Sequence, residues 1–271
     1  MTVGKHTAPP AVPTGRQRST FGAALSRLAG AQKSQAGVPM YTRYVNRRLG
    51  RYAAAAAYRA GLTPNQVTVL SALCTAVALA LVVTVSPTPA LAAVVTVLLV
   101  AGYALDSADG QLARLTGTGG PGGEWLDHVV DAVRNPALHL AILVSLYRFT
   151  DLPGWVLVLP MLFLLTTTVR FFGQMLAEQL RHRDGPRAGL VPVTDADGGQ
   201  RGRSLIQLPS DPGVINLVFV LLAWPWVFTW AYVGLLGMNM LLAFASLVRR
   251  FREMGRLQAA LHEATSTRGV S

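Results

Sequence analysis

Four aspartates carry the chemistry open to this sequence: Asp106, Asp109, Asp127 and Asp131. The chain of 271 residues holds only 13 acidic side chains, so their concentration in one short stretch needs a reason. Asp106 and Asp109, with Gly110 and Ala113, recur at i, i+3, i+4 and i+7, one face of a helix. Asp127 and Asp131 stand at i, i+4 on the next helical stretch. The glycine-rich segment between Gly117 and Gly123 lets the second helix return antiparallel to the first, so the two acidic faces can meet. Converging carboxylates cannot all stay ionised without cations. Oxygen ligands without cysteine select hard ions, Mg²⁺ or Mn²⁺. Two such ions side by side bind a diphosphate and stabilise both oxygens of a displacement at phosphorus. Gly110 and Ala113 are small enough for a nucleotide to approach the backbone. Arg114 can fork onto phosphate oxygens. The competing reading is a set of helix caps and interfacial charges, which would not require this spacing.

The elements that must position these residues lie in a bilayer. Hydrophobic residues make up 51% of the chain and charged residues 14%, against about 25% charged in a soluble domain. A spanning helix needs about 20 mostly apolar residues. The sequence predicts six: Val67–Val85, Ala90–Leu105, Glu124–Tyr147, Gly154–Ala177, Gly213–Phe228 and Ala231–Val248. The fifth and sixth are expected to join at Thr229 and Trp230, with Pro225 kinking or ending the fifth. Net charge is +11 and comes almost wholly from arginine. Arg43, Arg47, Arg48, Arg51 and Arg59 precede the first span, and Arg114, Arg181, Arg183, Arg187, Arg201 and Arg203 fall in loops on the same side. Arg249, Arg250, Arg252 and Arg256 follow the last span, while the opposite side carries only Arg148. This positive-inside asymmetry predicts both termini in the cytoplasm. The long apolar runs leave no large soluble surface, so nucleic acid is not an expected partner. Cys74 is the one cysteine, which excludes an intrachain disulfide or a thiolate metal cage.

Residues 1–38 are rich in Pro, Gly, Ser and basic residues and read as a disordered cytoplasmic tail. Residues 39–62 form the next unit, with an interfacial amphipathic helix over Tyr41–Ala60, ended by Gly61. Pro64 then sits at an early position of the first span. The membrane domain is expected over 63–250, and 251–271 is expected as a C-terminal cytoplasmic tail.

Asp106-x-x-Asp109-Gly110-x-x-Ala113-Arg114, eight residues, then Gly123-x-x-x-Asp127-x-x-x-Asp131 resembles the signature of the CDP-alcohol phosphotransferase (CDP-alcohol phosphatidyltransferase) family. Thr63-Pro64-Asn65-x-x-Thr68 resembles the stretch that opens the first membrane helix of that family. The resemblance implies an all-α polytopic enzyme of the bacterial inner membrane, working as a homodimer. It implies transfer of a phospho-substituted group from CDP-diacylglycerol or a related CDP-alcohol to an alcohol, with release of CMP. Asp106, Asp109 and Asp127 would be metal ligands, and Asp131 both the general base and a further metal ligand. Asn65, Thr68, Gly110, Ala113, Arg114 and Gly123 would belong to the site of the CDP moiety. Family members commonly carry Ser or Thr six residues after the motif arginine; here that position is Gly120, with Thr118 the nearest hydroxyl.

Two arginines stand beside this set. Arg134, three residues after Asp131, can bind an anion or pair with Asp131 or Glu124. Arg170 falls within the fourth span, where an ionisable residue is functional by default, so an acceptor phosphate or carboxylate is expected; snorkelling to the interface is the alternative. A cation channel or transporter is the rival function. It expects acids spread through the membrane depth, whereas these cluster at the ends of two helices.

Overall fold

The computed structural model describes residues 21–30, 38–188 and 204–268. Every element among them is helical. We number the α-helices α1 (Phe21–Gly30), α2 (Arg47–Ala60), α3 (Pro64–Thr84), α4 (Pro89–Thr116), α5 (Pro121–Phe149), α6 (Val158–Asp184), α7 (Pro212–Val218) and α8 (Pro225–Arg268). A π-turn over Thr42–Asn46 leads into α2, and a 3₁₀ turn over Gly154–Leu157 leads into α6.

Local chemistry sets the helix ends near the site. Gly61 closes α2 at φ 79°, where a side chain would be strained, and its N–H returns to Tyr58 O. Thr63 then caps α3 reciprocally with Gln66: Gln66 N–H donates to Thr63 Oγ1 at 3.3 Å and Thr63 N–H to Gln66 Oε1 at 2.9 Å. Pro64 occupies the first turn, where its missing N–H costs nothing. Gly117, at φ 68°, ends α4, and Pro121 opens α5.

Small residues bring α2, α3 and α4 together. A Cβ on Gly102 would lie 2.9 Å from Thr75 Oγ1, and Ser71 Oγ donates to Gly102 O at 2.8 Å. A Cβ on Gly50 would lie 2.8 Å from Ser107 Cβ. Ala54, Ala55 and Ala57 are buried in the same contact. The main apolar core lies away from the aspartates, where Val82, Val95, Ile142, Phe163, Phe219, Phe228 and Tyr232 meet.

The span count differs from the expected six. Among the described residues, five helices are long and apolar enough to cross a membrane: Pro64–Thr84, Pro89–Thr116, Pro121–Phe149, Gly154–Asp184 and Pro225–Ser266. The expected fifth span is instead a short apolar helix, Pro212–Leu221. At 1.5 Å per residue it covers roughly half of the ~30 Å hydrocarbon layer. Pro225 ends that run by opening α8, so Thr229 and Trp230 lie inside α8 rather than in a loop. α7 still does the work of a half-span. Its Asn216 Nδ2 donates to Leu99 O at 3.3 Å, midway along α4, and α8 then runs back alongside α6.

Both tails contain helix, which for the N-terminal one departs from the expected disorder. α8 continues to Arg268 through the expected C-terminal tail, because Arg, Glu, Leu and Ala favour helix and Arg250 pairs with Glu253 at 3.0 Å. In the N-terminal tail, Phe21–Gly30 is helical, with Ala24 and Leu28 buried against the α2–α4 cluster. Phe21, Leu25 and Leu28 form a stripe too short to stand out in a basic, proline-rich context. Residues 1–20 and 31–37 of that tail lie outside the described residues, as do Arg201 and Arg203. α2 is amphipathic as expected, but its alanine face packs on α4.

Candidate active site

The C-terminal end of α4, the glycine-rich turn and the start of α5 enclose a cleft of about 900 Å³. That volume falls within the range of small-molecule sites. Asn65 and Thr68 line it from the start of α3, and Asp109, Gly110, Ala113 and Arg114 from α4. Gly123 and Asp127 line it from α5. All six residues expected at the CDP moiety therefore share one cavity with two of the four aspartates.

Glycine makes this approach possible in two places. A Cβ on Gly123 would lie 3.2 Å from Asn65 Oδ1, tighter than most such contacts. At Gly110 the nearest neighbour of a Cβ would be Arg114 Nη1 at 3.5 Å, so this side of α4 stays bare toward the cleft.

Each carboxylate has a defined setting. Asp109 is buried, and Thr68 Oγ1 donates to its Oδ2 at 2.5 Å. Asp106 and Asp131 lie deeper, joined by Arg134. Arg134 Nη1 donates to Asp106 Oδ1 at 3.0 Å, and Nη2 donates to Asp131 Oδ1. The guanidinium sits 5.9 Å from the centroid of the Tyr103 ring. The charges of Asp106 and Asp127 reach both Asp109 and Asp131. The acidic faces of α4 and α5 thus do meet. Among the described residues, however, no three carboxylate or histidine side chains close into a metal-holding cluster. At Asp106 and Asp131, Arg134 occupies one oxygen of each.

As a donor set the four aspartates suit a hard divalent cation. They offer only oxygen, and the one buried guanidinium between them cannot neutralise all four. His128 approaches Glu124 at 3.9 Å, is half-buried and lines the cleft. Arg114 brings a guanidinium to the cleft, and its charge also acts on Arg47 of α2. Burial, then the charges of Arg114 and Arg43, push Arg47 below the usual guanidinium range. Such crowding of cations favours a polyanion.

Arg170 does not line the cleft. Its Nη2 donates to Ser210 Oγ at 3.2 Å, and the Arg249 charge acts on it from α8. Ser210 in turn lines a second cavity of about 80 Å³, together with Arg134, Tyr103, Asn135, Thr167 and Asn239. The two arginines expected at the acceptor therefore border this second cavity, Arg134 directly and Arg170 through Ser210.

Several residues of the region are not evident from sequence. Tyr103 lies one turn before Asp106, a spacing that places it on the acidic face. Its hydroxyl is 2.7 Å from Thr42 Oγ1. Asp211 accepts from Thr42 N–H at 2.7 Å and from Thr42 Oγ1 at 2.8 Å, and so ties the start of α7 to the π-turn. Its sequence signal is a helix cap before Pro212, nothing more. Glu178, Gln179 and His182 of α6 form the far wall of the large cleft. They fall beyond the apolar run that marks the fourth span, where a loop is the natural reading.

The sequence model of the CDP-alcohol phosphatidyltransferase family matches residues 61–245, more than half of the chain. The match runs from the turn before α3 into α8 and contains every residue of the cleft named above. No curated protein sequence matches this chain.

Proposed function

Because the chain belongs to the CDP-alcohol phosphatidyltransferase family, we propose that it transfers a phosphatidyl group from CDP-diacylglycerol to an alcohol and releases CMP. The observation that carries this reading is the convergence of Asn65, Thr68, Gly110, Ala113, Arg114 and Gly123 on a cleft that also holds Asp109 and Asp127. A nucleoside diphosphate needs bare backbone, a forked cation and carboxylates that can hold its metal ions, and this cleft brings Gly110, Arg114, Asp109 and Asp127 together.

Asp106, Asp109, Asp127 and Asp131 would hold two divalent ions, Mg²⁺ or Mn²⁺, which neutralise the diphosphate and stabilise charge on the oxygens that attack and leave. Arg114 forks onto phosphate oxygens at the mouth of the cleft. Thr68 fixes one oxygen of Asp109 and thereby the direction of the other. Asp131 accepts the proton of the acceptor hydroxyl. The acceptor oxygen bonds to the phosphorus distal to cytidine, the bond from that phosphorus to the CMP oxygen breaks, and CMP departs with the electron pair. Positioning and charge neutralisation supply most of the rate.

The acceptor enters from the side of Arg134, and Arg170 with Arg249 favours one that carries a phosphate or carboxylate. The arginine-rich helix ends assign the cleft to the cytoplasmic face. The working form is a homodimer in a bacterial inner membrane.

Purified protein in detergent tests the reaction. CMP release from CDP-diacylglycerol should require Mg²⁺ or Mn²⁺ and one of a panel of alcohols, including glycerol phosphate, inositol phosphate and serine. Absence of CMP release with every acceptor, alongside cation flux in proteoliposomes, would replace the enzyme with a channel.

A further inference from the structure

We infer that Arg134 is the internal counter-ion of the carboxylate site, a resident cation that a divalent ion must displace from Asp106 and Asp131. The inference rests on the metal reading proposed above and adds a role that the acceptor assignment of Arg134 does not contain.

Three observations carry it. First, Arg134 donates to Asp106 on α4 and to Asp131 on its own helix α5, so one guanidinium spans the two acidic faces. All three side chains are mostly buried, at 12% exposure for Arg134, 16% for Asp106 and 25% for Asp131. Buried carboxylates without a partner are strongly unfavourable, and Arg134 is the cation that stands beside this pair. Second, a divalent ion on Asp106 and Asp131 would stand on the same two carboxylates as the guanidinium, where like charges repel. Occupancy by Arg134 and by a divalent ion is therefore a competition.

Third, the displaced guanidinium has a polar place to go. Arg134 also lines the cavity of about 80 Å³ on its other side, which has room for several waters. The amide nitrogens of two cavity residues are committed to backbone carbonyls. Asn216 Nδ2 donates to Leu99 O at 3.3 Å, and Asn239 Nδ2 to Pro209 O at 2.8 Å and Leu235 O at 2.9 Å. Both residues line the cavity and carry a side-chain carbonyl oxygen, the type of acceptor a guanidinium needs. Ser210 and Asp211 line the same cavity. Arg134 can therefore leave the carboxylates without facing lipid. A purely structural ion pair needs no second seat of this kind.

The test is Mn²⁺ binding to the purified protein in detergent, stripped of metal and followed by the EPR signal of free Mn²⁺. Arg134→Gln removes the competitor and leaves Asp106 and Asp131 short of a cation. It should bind Mn²⁺ more tightly than wild type, on the order of tenfold or more. Arg134→Lys keeps a charge without the fork and should fall between. Asn216→Leu gives up one long hydrogen bond and removes an acceptor from the second seat. It should weaken Mn²⁺ binding, about threefold or more, because the displaced guanidinium is less well received.

Equal or weaker Mn²⁺ binding by folded Arg134→Gln overturns the inference. Should that variant fail to fold, Asn216→Leu decides: weaker binding supports the counter-ion role and unchanged binding overturns it. Wild-type protein that binds Mn²⁺ while no variant shifts it loses only this inference. No Mn²⁺ binding by any form removes the metal reading itself, and the counter-ion role with it.

Discussion

Thr68 Oγ1 donates to Asp109 at 2.5 Å, and this hydrogen bond sets which carboxylate oxygen faces the cleft. Thr68→Val keeps the shape and deletes the donor. The Mn²⁺ concentration needed for half-maximal CMP release should rise about 10- to 100-fold, the usual effect of losing a group that orients a ligand. Asp131→Asn keeps the size and removes the base. CMP release should fall by about 10²–10⁴ while CMP binding, measured by calorimetry, persists. Equal loss of both would assign Asp131 to binding alone. The aspartates were legible in the sequence because metal and phosphate chemistry dictates both residue type and spacing. The second partner of Arg134 was not. An arginine three residues after Asp131 is in reach of it on any helix. Contact with Asp106 depends on how closely another helix approaches.

At the scale of elements, the site depends on how near α2 and α3 come to α4. Gly50 meets Ser107, the neighbour of Asp106, and Gln111 Nε2 donates to Arg47 O at 3.2 Å across the same contact. Gly50→Leu would force the two helices apart. We expect a loss of about 1–3 kcal/mol in stability, read as a lower unfolding temperature in detergent, together with reduced CMP release. Unchanged melting would show that α2 is not held there. The start of α3 was readable from Thr63-Pro64, because caps and prolines act locally, whereas α5 begins at Pro121, inside the segment read as a glycine-rich turn. The half-length α7 was not readable. Its run of apolar residues has the composition of a span. Only the packing of Phe219 and Asn216 against the other helices shows where it stops and turns.

For the whole molecule, the arginine distribution and the net charge of +11 make one prediction about sidedness. In a Cys74→Ser background, Ser266→Cys near the end of α8 should resist a membrane-impermeant maleimide in right-side-out vesicles and react in inverted ones. Labelling in right-side-out vesicles would reverse the orientation. Chelation gives a second test at this scale. EDTA should abolish CMP release from CDP-diacylglycerol, and Mn²⁺ or Mg²⁺ should restore it; activity that survives exhaustive chelation would exclude metal dependence.

The amino-acid sequence by itself determined that this is a helical membrane protein and that its acidic residues fall at fixed spacings beside glycines and an arginine. It also placed the family, because those features are local: hydropathy, helical periodicity and cap chemistry act over a few residues. Only the tertiary structure decided that Arg134 bridges two helices, that α6 supplies the far wall of the cleft, and that α7 is half a span. Those facts depend on distances between segments far apart in the chain. They are set by side-chain volume and close packing, which no spacing rule along a single helix contains.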